Sequence, residues 1–84
     1  MTSSHQARAA EFARARGLRS DNEMLYVQLD DGREVGVPIA WFPRLANATK
    51  EQRGRWEFMG RGVGIHWPDI DEDISVAALL AQSV

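Results

Sequence analysis

The sequence predicts an α+β fold: a small antiparallel sheet built on a β-hairpin over residues 24–39, further short strands, and short helices packed on one side. Three observations carry this prediction. Apolar residues alternate strictly on both sides of an Asp-Gly pair, two short segments carry helix-terminus signals, and Ser75 precedes the apolar run VAALLAQ. A chain of 84 residues has surface enough to bury one small core, so the expected organisation is a flexible or helical extension over 1–14 and one compact domain over 15–84.

In chain order, residues 3–15 are rich in Ala and Arg with Phe12 as their single aromatic, which predicts a frayed helix opening near Ser3 or Ser4. The segment RGLRS at 16–20 could close that helix or begin a first strand, and the alternation that follows favours the strand. In MLYVQLDDGREVGVPI, Leu25, Val27 and Leu29 alternate with Tyr26 and Gln28. Asp31-Gly32 supplies the turn, and Val35, Val37 and Ile39 resume the alternation. Gly32 accepts positive φ without a Cβ clash, and Asp31 tolerates it better than most residues. Pro38 lacks an amide hydrogen, so the second strand ends near it or lies at a sheet edge.

A short helix is expected next, with Pro43 in its first turn, Asn47 as its stop, and Trp41, Phe42 and Leu45 as apolar anchors. Thr49 and Gln52 have capping-box spacing at the head of TKEQRGRWEF, which places Trp56 to pack below. FMGRGVGIHW reads as turn and strand with Ile65 and Trp67 on one face, and Pro68 pushes Trp67 towards extended geometry. Ser75 is the expected N-cap of a last helix, with the acidic run upstream near its positive end.

The composition is 44% hydrophobic and 26% charged, that of a soluble globular chain. The absence of cysteine excludes disulfides, thiolate zinc sites and thiol nucleophiles, and a cytoplasmic setting fits it best. No apolar run approaches the roughly 18 residues needed to span a bilayer, and the N-terminus lacks the apolar stretch of a secretory signal. The net charge of −2 is unevenly spread. Arg8, Arg14, Arg16 and Arg19 oppose only Glu11 in the first 20 residues, whereas no Lys or Arg follows Arg61 to balance the acidic tail.

The chemistry-bearing stretch is GIHWPDIDEDIS. His66, Asp69, Asp71, Glu72 and Asp73 hold atoms that could bind a metal, but catalytic zinc or iron sites usually take a second rigid histidine, and His5 lies in the extension. A calcium loop needs a twelve-residue frame with an internal Gly and a closing Glu, which DIDEDISVAALL lacks. No metal or other cofactor is therefore expected. Paired carboxylates need a cleft to perturb them, and Ser75 has no evident activating base, so no catalytic residue and no enzymatic activity are expected. GRGVG at 60–64 lacks the lysine and the following helix of a phosphate loop. Arg44, Lys50, Arg53, Arg55 and Arg61 cluster with Trp41, Phe42 and Trp56, yet the net charge is negative and a small core needs those aromatics, which disfavours direct nucleic-acid binding.

The turn DGRE at Asp31–Glu34, the segment PIAWFPRLANAT with its following EQR, and GIHWPDIDEDISV together resemble a small bacterial and phage-borne family of unknown function, over about residues 15–81. The resemblance implies a compact α+β domain and membership of two-gene pairs in a toxin-antitoxin-like arrangement. Some longer relatives add a C-terminal helix-turn-helix, which has no counterpart before Val84, so DNA binding is not carried over. The expectation is a non-enzymatic protein-protein interaction module, antitoxin-like or regulatory. Its contact residues would be His66, Asp69, Asp71, Glu72, Asp73 and Trp41, and its partner another small, basic protein. A homodimer is a further expectation, because small domains expose sheet edges. The alternative is a phage-type inhibitor whose acidic surface blocks the basic groove of a nucleic-acid enzyme.

Overall fold

The computed structural model describes residues 13–82. Most of the helix expected over 3–15 lies outside that range, and the part inside is not helical, since Ala15 already opens a strand. Six strands and three short helices follow in order. They are β1 (Ala15–Ser20), β2 (Met24–Leu29), β3 (Glu34–Pro38), α1 (Pro43–Ala46), α2 (Lys50–Arg53), β4 (Glu57–Met59), β5 (Gly64–Trp67), β6 (Glu72–Ser75) and α3 (Val76–Gln82). The class is α+β, as expected. The strands form two three-stranded antiparallel sheets, β1-β2-β3 and β4-β5-β6, where the sequence suggested one.

The first sheet grows from the hairpin. In β2, Leu25, Val27 and Leu29 are buried while Met24, Tyr26 and Gln28 are half-exposed, the period of two that a sheet with one wet face imposes. The turn holds three residues between Leu29 and Arg33. The Gly32 amide donates to Leu29 O at 3.1 Å and the Leu29 amide to Arg33 O at 2.8 Å, and Gly32 takes φ +96°. Asp31 keeps negative φ and serves instead as a local acceptor, taking the Arg33 amide at 3.0 Å. On the wet face, the Arg19 guanidinium stacks 4.0 Å from the Tyr26 ring centroid and pairs with Glu34 at 3.2 Å. β1 bulges at Arg16, where the register slips by one residue between Ala15 and Gly17.

Between the sheets run two helices of a single turn each, which owe their shape to their ends. Pro43 stands at the first position of α1, where its missing amide costs nothing, and Asn47 closes the helix. Thr49 and Gln52 form the reciprocal capping box of α2, with the Gln52 amide donating to Thr49 Oγ1 at 3.1 Å and the Thr49 amide to Gln52 Oε1 at 2.9 Å. Gly54 ends the helix.

The core gathers Leu25, Val27, Leu29, Val37, Ile39, Leu45, Ile65, Trp67, Ile74, Val76, Leu79 and Leu80, drawn from both sheets, the turn after β3, α1 and α3. Trp56 and Phe42 pack against it half-buried. Trp67 is fully buried, and its indole N–H donates to Arg53 O at 3.1 Å, so α2 satisfies the one polar atom that this side chain carries inside. The sheets also meet through backbone. Gly62, at φ +93°, lies so close to β1 that a Cβ there would stand 2.4 Å from Ala15 O.

Candidate functional site

The acidic stretch folds as the β5–β6 hairpin. Ile65 and Trp67 point into the core, so His66 between them projects from the opposite face of the sheet. The expected face assignment holds. Pro68 stops β5, and Asp71 closes the turn in the left-handed region at φ +52°, which Asp tolerates through its short polar side chain.

The return strand is the correction. The acidic run, expected simply to lead into the cap of the last helix, includes a strand: Glu72–Ser75 is β6, paired His66↔Asp73, Ile65↔Ile74 and Trp67↔Glu72. The register explains it: Ile74 alternates inward to meet Ile65, while Asp73 and Ser75 face outward with His66. Ser75 does cap α3, accepting the Ala78 amide at 3.2 Å. The expected support of that helix by the acids is not their main engagement. Asp73 is bonded to His66, and Glu72 Oε1 accepts the Asp73 amide at 3.1 Å.

The strand register places Asp73 directly across from His66, and the Asp73 carboxylate bonds the imidazole Nδ1. That bond raises the His66 pKa above its ordinary 6.5, more than partial burial lowers it, and the charges of Asp73, Glu57 and Asp71 add to the rise. Glu57 belongs to the same cross-strand row, opposite His66 on β4. Nothing in the sequence pattern marked Glu57, because its role depends on the β4–β5 pairing.

Two further carboxylates, counted as unbalanced in the sequence, have cations within reach. Arg55 Nη1 lies 3.1 Å from Asp69 Oδ2, and Arg44 Nη1 donates to Asp71 O at 2.5 Å with the Asp71 carboxylate 3.9 Å away. These partners lie 14 and 27 residues away in sequence, so only the fold joins them. Arg44 has a second effect: it ties the segment 39–46, which carries Trp41, to the acidic turn. Trp41 is 49% exposed, in contrast to the buried Leu45 four residues on. His66 and Asp73 thus touch directly, Asp69 and Asp71 are each paired with an arginine, and Trp41 belongs to the segment that Arg44 ties to the turn.

Among the described residues, no group of three or more histidines and carboxylates is arranged to hold a metal ion. No helix there is long and apolar enough to cross a membrane. Sequence reasoning also missed an apolar hollow of about 310 Å³ beside the His66–Asp73 pair, lined by Met59, Val63, Gly64, Ile74 and Ala77 together with Ala13, Asp73 and Ser75. Met59 and Val63 are 41% and 47% exposed.

Residues 16–84 match the model of a family described as a protein of unknown function, DUF2442. Solved structures of the same fold include a protein of unknown function from Rhodospirillum rubrum, 30% identical, with TM-score 0.73 over 83% of this chain and 87% of that one. They also include an uncharacterized protein from Chromobacterium violaceum, 24% identical, with TM-score 0.71 over 95% of this chain and 75% of that one. Among curated proteins none matches the sequence.

Proposed function

The chain belongs to the DUF2442 family, and from that premise we propose that it is a non-enzymatic protein-binding module, the antitoxin-like or regulatory partner of another small protein. Its contact surface comprises His66, Asp69, Asp71, Glu72, Asp73 and Trp41. The observation that supports this reading is the Arg44 link, which ties the segment that carries the half-exposed Trp41 to a turn of carboxylates. An exposed tryptophan next to charged groups is the composition of a protein contact, where the aromatic supplies buried area and the charges orient the partner. Inhibition of a nucleic-acid enzyme through acidic mimicry has less support, because Arg44 and Arg55 offset part of the charge that would imitate a phosphate backbone.

The test is co-purification of the tagged chain from its host with its neighbouring gene present. A stoichiometric complex is expected, weakened at least tenfold by Trp41→Ala, which alters an exposed side chain and leaves the core intact. Recovery of the chain alone overturns the proposal.

A further inference from the structure

The outer face of the second sheet carries two cross-strand rows. One is Glu57, His66 and Asp73; the next is Met59, Gly64 and Ser75. Directly opposed residues of an antiparallel sheet project on the same side, so the rows lie next to each other. In the second row the central position has no side chain, and there the surface sinks into the hollow of about 310 Å³. A Cβ on Gly64 would already stand 3.3 Å from Ile74 O and 3.5 Å from Met59 Sδ, so glycine is what keeps the floor open. Met59 and Val63 form one wall and Ala77 of α3 another. Both of the larger wall residues are more than two-fifths exposed.

The charge next to this hollow is net negative, two carboxylates against the one imidazole between them in the row Glu57, His66 and Asp73. Among the described residues its lining includes Asp73 and no Lys or Arg. Glu57, in the adjacent row, is exposed and forms no ion pair with any described residue. An apolar depression of side-chain size with Asp73 in its lining and Glu57 in the next row is complementary to an apolar side chain that has a cation next to it.

We propose that the hollow over Gly64 is where the protein partner docks, taking one aliphatic or aromatic side chain onto the Gly64 floor while Glu57 and Asp73 hold an adjacent Lys or Arg. This rests on the protein-binding reading and narrows it: the partner presents an apolar–basic pair, and it meets the outer face of β4-β5-β6 as well as the acidic turn.

Two substitutions of exposed side chains test it without disturbing the core: Val63→Ser removes apolar wall, and Glu57→Gln removes rim charge. Random heptapeptides displayed on phage are selected against the full chain. Enrichment of sequences with Leu, Ile, Met or Phe next to Lys or Arg is expected, with retention at least about tenfold lower on either variant and lower still at high salt for the charge arm. No enrichment, enrichment of peptides without a basic residue, or undiminished retention by both variants overturns the proposal. The co-purified partner separates this from the broader reading. If both variants keep the partner at full affinity, the hollow is not the contact while protein binding stands; if no partner is recovered from the host, both readings fall.

Discussion

At the scale of single residues, His66 and Asp73 are the pair whose chemistry is most sharply defined. Each is placed by alternation, and their meeting is placed by register. Because the folded state binds the His66 proton more tightly than an unfolded histidine with its value of 6.5, protonation and folding favour each other. The pair's contribution is fully present below the unfolded value and is lost as pH rises through the raised folded value. The groups facing His66 are Asp73 on β6, Glu57 on β4 and Asp71 in the turn, all acidic, so each acts in the same direction. The thermal midpoint of the wild type is therefore expected to fall relative to that of His66→Gln as pH rises above about 6.5. Melts of the two proteins across that interval check it, and a constant difference between them would show that the pair does not couple to folding.

At the scale of elements, the short helices were the most legible parts of the chain because their determinants are local. Pro43, Asn47, the Thr49/Gln52 box and Ser75 each act within a few residues, and each sits where its spacing placed it. The β2–β3 hairpin was legible for the same reason. β6 was not, since a strand of four residues in which Glu72 and Asp73 precede Ile74 has poor intrinsic β-propensity and is held by its pairing to β5. The roles of Arg44, Arg55 and Glu57 were hidden likewise, as they depend on which elements become neighbours. The α2 cap does more than shape one turn, because the Arg53 carbonyl at the end of that helix receives the Trp67 indole. Thr49→Ala is expected to cost about 1 kcal/mol. It should also speed hydrogen exchange at the Trp67 indole N–H beyond that of neighbouring core amides; an unchanged relative rate would mean that Arg53 is positioned without the cap.

At the scale of the whole molecule, the sequence suggested one sheet where there are two, since alternation assigns faces but not neighbours. Two sheets of three strands each have four edge strands, and the contact of Gly62 with Ala15 on one of them is a place where the sheets lock together. Gly32 and Gly62 share nearly the same φ, +96° and +93°, but nothing lies within 4 Å of a Cβ at Gly32. Gly32→Ala therefore carries only the backbone cost, about 1 kcal/mol, whereas Gly62→Ala adds a backbone collision and is expected to cost about 3 kcal/mol. Denaturant unfolding of the two variants separates the terms, and equal losses would show that the junction between sheets yields freely. The three tryptophans sit at three depths of this architecture: Trp67 fully buried, Trp56 half-buried against the core with its ring 5.0 Å from that of Phe58, and Trp41 half out in solvent. Indole emission follows the polarity around the ring, so the chain carries its own set of optical reporters. A soluble quencher reaches Trp41 first and reads cover on the outer surface, while the blue-shifted emission of Trp67 persists until the core itself opens.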